Sequence, residues 1–360
     1  MKYDIFEANM NDNLQLIQLM GVPMNGQISL AMERSPNYFY GLDVQGNSSQ
    51  AFVLKDIALN KIIGVASCGL RRVFCDGKEI EINFLADNRI LEEFRKNIFF
   101  SKGLKFFEAK LFDGKRPAYM LVLNDNHLAL DLFLSPKMTK NRCIGNYQTP
   151  AIYLNKKPKI IKHNYEIRRA KKSDLENLNE FIQQEGSKKN LFPIYDLSRE
   201  LSTSYCKGLT IEDYFIVIEN NEIKACAAIW DQRSFKQTRV CAYSKSIALS
   251  RVIYNFYQKL RCGFVLPPVG SLLNYFHLYT PLSYDNNPIF FNALIHEIYK
   301  EYYRSEFSYF LVGFDLRDPL LKCFDEFEKR DMGAKVILNE VGANLEFDVN
   351  RLLYIESARL

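Results

Sequence analysis

Tryptophan is nearly absent from this 360-residue chain: there is one, beside 27 phenylalanines and 21 tyrosines. Glycine (17) and proline (12) are also sparse, together below the roughly 12% usual in globular proteins. That scarcity excludes collagen-like and Pro/Gly-rich disordered chains and leaves most positions with a side chain that can pack. No window approaches the ~18 uncharged apolar residues of a spanning helix, so no membrane partner is expected. The opening stretch MKYDIFEANMNDN has acids at Asp4 and Glu7 and no apolar run, so it does not read as a secretory signal.

Metal-ligand spacing is missing too. The four histidines (His127, His163, His277, His296) are scattered, and the eight cysteines (68, 75, 143, 206, 226, 241, 262 and 323) contain no CxxC and lie mostly in apolar runs. This pattern fits thiols of a reducing cytoplasm rather than disulfides or zinc, and no metal is expected. The charge balance is mild, 47 Lys and Arg against 42 Asp and Glu. No basic stripe of the kind nucleic-acid binders carry is present. The densest basic cluster, Lys156, Lys157, Lys159 and Lys162, reads as a solvated linker. The length fits about two domains.

What the chain does have is a repeat. Tyr3-Asp4-Ile5-Phe6-Glu7-Ala8 with its following Asn/Asp cap resembles Tyr165-Glu166-Ile167-Arg168-Arg169-Ala170 with its Ser173-Asp174 cap, at an offset of 162 residues. Phe52-Val53-Leu54 through Ala66 resembles Phe215-Ile216-Val217 through Cys226 at an offset of 163. In each copy a strand enters a capped helix, and a hairpin follows that turns at an Asn-containing loop. The join falls near residues 156–164, giving halves 1–155 and 165–360. Within the first half, Asp76-Gly77 predicts a tight hairpin turn, a helix is expected from about Leu91, Ala118–Leu123 is a buried strand, and Asn124–Asn126 cap a helix over 127–134. In the second, strand 274–282 meets a helix opened by Asn286-Asn287-Pro288, whose stripe is Phe290, Leu294, Ile298 and Tyr302. Ser308–Phe314 is the next strand, and Asp318-Pro319 opens the next helix. Segment 244–273 has no counterpart in the first half. The fold class is mixed α/β (α+β), each half a mixed, mostly antiparallel sheet flanked by helices.

This order resembles the GNAT N-acetyltransferase fold, twice over. In that family a Q/R-x-x-G-x-G/A loop after the fourth strand holds the pyrophosphate of acyl-coenzyme A on backbone N–H groups and a helix N-terminus. The stretch Phe84–Arg95 lines up with that strand and loop, with Arg95 at the first motif position and Ile98 and Phe100 where the glycines stand. A side chain there intrudes on the phosphate's space. Asn126-x-x-Ala129-x-x-Leu132-Phe133 matches the family's N-x-x-A-x-x-L-Y, except that Phe133 lacks the hydroxyl that protonates the departing thiolate. Trp230–Gln237, Leu191–Tyr195 and Phe314–Leu320 further resemble a bacterial set of tandem GNAT-like proteins.

The resemblance implies an acyltransferase using acetyl-CoA or another acyl-CoA on a small-molecule or protein amine. The donor would be held by Arg95, Lys96, Asn97, Ile98 and Asn126, or in the second half by Asn286 and Asn287, which otherwise act as plain helix caps. A base would be a carboxylate near the fourth strand: Glu81, Asp87 or Asp315. Trp230, Asp231 and Tyr279 would face the acceptor, or Trp230-Asp231 would form a structural corner. Because the loops lack their glycines, two alternatives stand beside this one: a non-catalytic binding protein, and an acyltransferase taking its acyl group from a carrier protein.

Overall fold

The computed structural model describes residues 3–24, 26–94, 116–138, 140–261, 263–340 and 345–360. The first half runs β1 (Tyr3–Glu7), α1 (Asn13–Met20), β2 (Ile28–Glu33), α2 (Tyr38–Asp43), β3 (Ser48–Asp56), β4 (Lys61–Cys75) and β5 (Lys78–Ile90). After β5 come β6 (Ala118–Leu123), α3 (His127–Phe133) and β7 (Asn141–Tyr153). The second half opens with β8 (Glu166–Arg169), α4 (Leu175–Gly186), β9 (Phe192–Pro193), α5 (Leu197–Glu200), β10 (Tyr214–Glu219) and β11 (Glu222–Trp230). It continues with β12 (Gln237–Tyr243), α6 (Lys245–Leu260), β13 (Tyr275–Ser283), α7 (Pro288–Tyr302), β14 (Tyr309–Leu311), β15 (Phe314–Asp315) and β16 (Lys329–Asn339).

Turn chemistry sets the hairpins. Asp76 and Gly77 both take positive φ (50° and 76°) between β4 and β5, and Asn220 and Asn221 do so (52° and 62°) between β10 and β11. These are residue types that adopt the left-handed region at low cost. The β10–β11 turn stands where the repeat placed it, and Asn60 (φ 47°) occupies the matching turn between β3 and β4.

One sheet holds both halves, in the order β1-β3-β4-β5-β6-β16-β7-β14-β13-β11-β10-β8. Read from either edge the sequence of strands is the same, which is the repeat seen in space. Its middle is an exchange. The last strand of the second half, β16, pairs with β6 of the first, Ala334–Asn339 against Ala118–Leu123. The last strand of the first half, β7, pairs with β14 of the second, Ala151–Tyr153 against Tyr309–Leu311. Neither β7 nor β16 was anticipated from the sequence. Among the described strands, each half has one parallel ladder, β5 with β6 and β13 with β14. Both parallel ladders are short: β5 leaves β6 after Phe84, and β13 leaves β14 after His277. The fourth and fifth strands therefore splay apart in each half.

Three expectations need correction. Segment 308–314 does not form one strand but breaks at Val312-Gly313 into β14 and β15. A Cβ on Gly313 would fall 2.3 Å from the Tyr147 hydroxyl, so the chain passes too close to β7 for a regular strand residue. Asp318-Pro319 opens a 3₁₀ turn (Pro319–Phe324) rather than an α-helix, with Asp318 capping Leu320 N–H. The extra segment of the second half is also wider than 244–273: everything from Asp231 to Asn274 joins β11 to β13, and β12 leaves the main sheet to pair with β2 of the first half. The stripe of α7 is as expected, with Phe290, Leu294 and Ile298 buried against the sheet.

Candidate active site

Each splay begins at a β-bulge. Opposite β4, register slips between Val65 and Ser67, leaving Asp87 in the bulge of β5 with φ 49°. Opposite β11, register slips between Cys226 and Ala228, leaving Thr280 in the bulge of β13, also with φ 49°. The two positions are equivalent by the repeat, yet their surroundings differ.

Asp87 points into the protein. Its carboxylate accepts from Arg34 Nη2 (3.2 Å), Tyr38 Oη (3.2 Å) and Gln45 Nε2 (2.9 Å). Arg34 follows β2, Tyr38 opens α2 and Gln45 lies just past that helix's C-cap, Val44. Gly41 on that helix makes the approach possible, since a Cβ there would sit 2.7 Å from Arg34 Cδ. Gln45 is itself fixed by Ser67 Oγ, which donates to its Oε1 (2.7 Å). Burial, and then the Asp87 charge, hold the Tyr38 hydroxyl well above its ordinary range, so it stays a donor. Next to this group lies Lys236, 9% exposed, whose Nζ donates to the Leu360 backbone oxygen. Burial and the neighbouring Arg34 push its ammonium pKa well below the usual lysine range, against the opposing pull of Asp87. His277, at the start of the other splay, is driven down to about 3 by burial and by Lys236, so its ring is neutral.

At Thr280 the geometry is filled from within. Residues 353–359, every one of them buried, run between the halves, and Glu356 Oε2 accepts from the Thr280 backbone N–H (3.0 Å). Glu356 also accepts from Tyr354 Oη (2.6 Å) and Ala358 N–H (3.1 Å). Arg359 donates to Val44 O (2.9 Å) and to Tyr279 Oη (2.7 Å), and its guanidinium stacks 3.4 Å from the Tyr205 ring centre. Arg71, fully buried, donates to Arg359 O (2.9 Å) and Gln45 O (2.6 Å). This strap ties β4 of the first half to β13 of the second. None of Arg34, Tyr38, Gln45, Lys236, Glu356 or Arg359 was singled out from the sequence. Only Lys236 lay inside a stretch already flagged, Trp230–Gln237.

The residues expected from the sequence separate accordingly. Glu81 is half exposed and pairs with Arg116 (2.8 Å). Asp315 accepts from Arg317 and from Leu353 N–H (2.9 Å), and although burial opposes ionisation these bonds hold its pKa below the usual carboxylate value. Trp230 is fully buried, with its indole N–H on Lys207 O (3.0 Å), and Asp231 binds Arg233, so the pair builds the corner. Tyr279 is buried beneath Arg359 and lines no open cleft. Asn126 caps α3 through Ala129 N–H (3.2 Å) and Asn287 caps α7 through Ile289 N–H (2.9 Å). Asn286 is held by Lys189 and Asp318, while Asp285 pairs with Lys188 (2.5 Å). The polar side chains of the α7 loop are thus bonded to Lys188, Lys189 and Asp318 of neighbouring segments. Arg95, Lys96, Asn97, Ile98 and Phe100 lie outside the described residues, as does Cys262.

Among the described residues no group of three or more His, Cys, Asp or Glu could hold a metal ion, and no helix is long and apolar enough to cross a membrane. The described cysteines are free, and most are buried.

This architecture is a tandem GNAT-like fold. Solved structures share it across nearly the whole chain. N-myristoyltransferase of Saccharomyces cerevisiae with bound myristoyl-CoA superposes with a TM-score of 0.64 at 10% identity, covering 98% of this chain and 89% of that one. A GCN5-related N-acetyltransferase from Sphaerobacter thermophilus gives 0.61 at 10% identity, with 96% and 98% covered. A conserved protein from Enterococcus faecalis, described as a probable N-acyltransferase, gives 0.56 at 9% identity, with 95% and 73% covered. No protein-family model matches the sequence, and no curated protein does.

Proposed function

We propose that the protein is an N-acyltransferase that moves an acyl group from acetyl-CoA or a longer acyl-CoA to an amine of a small molecule or protein, and that the first half does the chemistry. The observation that supports this most is the unequal fate of the two bulges. At Thr280 the backbone donor is already satisfied by Glu356, whereas at Asp87 a carboxylate is presented among three donors beside a buried lysine. On this reading residues 1–155 form the working domain, 156–164 the linker and 165–360 the scaffold that supplies Lys236 and β16. The mostly buried, free cysteines suit a reducing cytoplasm.

The amine nitrogen attacks the thioester carbonyl carbon, the C–N bond forms, and the C–S bond then breaks. A backbone N–H of the splayed β5 meets the developing oxyanion. Three hydrogen bonds occupy three of the roughly four acceptor positions of Asp87. The fourth accepts the amine proton, directly or through a water. Phe133 cannot donate, so the leaving thiolate takes its proton from solvent; positioning carries most of the rate.

Calorimetric titration and thermal unfolding with coenzyme A, acetyl-CoA and a long-chain acyl-CoA test the reading. Saturable binding stabilises the fold by mass action. Asp87→Asn is expected to keep donor binding while lowering turnover by roughly 10²-fold, and Arg95→Ala to weaken donor binding. If no donor stabilises the protein up to millimolar concentration, the coenzyme-dependent reading is wrong, and an acyl-carrier donor is the next candidate.

A further inference from the structure

Helix α6 is built inside out. Leu249, Val252, Ile253, Phe256 and Leu260 are between 67% and 82% exposed, and at 100° per residue they share one continuous face with Tyr257. The face turned toward the protein is mostly polar, with Arg251, Asn255 and Gln258 beside Ile247. Asn255 is locked by a two-way bond with Leu266, donating to its O and accepting from its N–H, both at 2.9 Å. Arg251 lies 5.2 Å from the Tyr243 ring, and Gln258 packs against Gly263. A helix free to choose would bury its apolar stripe, because removing apolar surface from water is favourable. Here specific bonds fix the opposite orientation, so the stripe is presented to something apolar outside the fold.

Charge indicates what that is. From Gln232 to Tyr284 the chain has seven Lys and Arg and no Asp or Glu. Arg233 and Arg239 are held in ion pairs and Lys236 is buried. The remaining four, Lys245, Arg251, Lys259 and Arg261, belong to α6 or its end and enter no ion pair among the described residues. Lys259 and Arg261 fall on opposite flanks of the apolar face. An apolar stripe edged by unpaired cations is the pattern of a helix lying in a lipid–water interface, with lysine and arginine reaching the headgroups. A second copy of this helix would bring like charges together, which disfavours self-association.

We propose that α6 docks the protein on an anionic lipid surface, lying in its plane without crossing it. This is compatible with no helix among the described residues being long and apolar enough to cross a membrane. It also gives the wide insertion of the second half a purpose. β12 leads from Lys236 at its near end to α6 at its far end, so the bilayer would lie about one strand length, ~20 Å, from the Asp87 site.

Flotation of the full chain with vesicles of phosphatidylcholine, alone or mixed with phosphatidylglycerol, tests this without reference to enzymatic activity. The expected result is binding to the mixed vesicles at least about tenfold stronger than to the neutral ones, weakened by salt. Leu249→Gln with Phe256→Gln should lower binding by about tenfold or more. Lys245→Gln with Lys259→Gln should lower it on mixed vesicles only. All four side chains are exposed, so thermal midpoints should not move. The proposal is overturned if the native protein stays unbound with mixed vesicles at low salt, or if the Leu249/Phe256 variant binds as well as the native chain. It is equally overturned if that variant instead abolishes a lipid-free dimer, which would assign the face to a second copy.

Discussion

Glu200, at the end of α5, keeps one carboxylate oxygen buried and without a partner. Burial raises its pKa to about 7 from 4.5, against a smaller pull from Arg359. Between those values the unfolded chain is ionised while the folded one still holds its proton. The folded state is therefore favoured as pH falls through this window, and stability declines as pH rises from about 4.5 to about 7. Glu200→Gln removes that dependence. The variant should match the native protein at pH 4 and exceed it by roughly 1–3 kcal/mol at pH 8, as measured by denaturant unfolding at each pH. Equal stabilities at both would mean the carboxylate is solvated. Such residues are where sequence reading has least purchase. Asp87 was among three carboxylates chosen for lying on or near a strand, and nothing in one dimension separates it from Glu81, which faces Arg116 at the surface. The difference lies in Arg34, Tyr38 and Gln45, 42 to 53 residues away.

At the scale of elements, local chemistry was legible and long-range pairing was not. The Asp76-Gly77 and Asn220-Asn221 turns, the Asn126 and Asn287 caps and the stripe of α7 follow from neighbours a few residues apart. The bulges at Asp87 and Thr280 do not, because a bulge is a register slip against another strand. The break of segment 308–314 likewise depends on Tyr147, far away in sequence. The site rests on one such close approach. Past α2 the chain turns at Gly46, where a Cβ would meet Leu70 O at 2.6 Å and the Gly69 backbone at 2.8 Å. Gln45, next to it, holds Asp87 and Ser67 through its side chain and Arg71 through its carbonyl. Gly46→Ala must move either β4 or Gln45. It should cost roughly 1–3 kcal/mol in thermal or denaturant unfolding and weaken whatever the Asp87 site binds. A variant that lost neither would show that the α2–β3 turn can relax without disturbing the carboxylate.

Over the whole molecule, the repeat was readable as two copies, but it hid how the copies are joined. A duplicated chain can fold as two beads, each closing its own sheet. Here each half gives its last strand to the other, and residues 353–359 thread between them with Arg359 bonded to both Val44 and Tyr279. The sequence carries no trace of the choice, because the side chains of β7 and β16 do not specify which strand edge each one pairs with. The expected energetic consequence is that neither half closes its sheet without the other. Residues 1–155 alone would lose β16 from between β6 and β7, exposing two long edges and the buried faces of Tyr119, Met120 and Val122. Exposed edges of that kind pair with other chains. The intact protein should therefore unfold in one cooperative transition by calorimetry, with the calorimetric and van't Hoff enthalpies equal. Segments 1–155 and 165–360, expressed separately, should aggregate or fail to melt cooperatively, and expressed together they should copurify as a folded pair. A cooperative melt from 1–155 alone would mean that β6 and β7 can close on each other without β16, and the exchange would then be a decoration on two independent domains rather than what binds them into one.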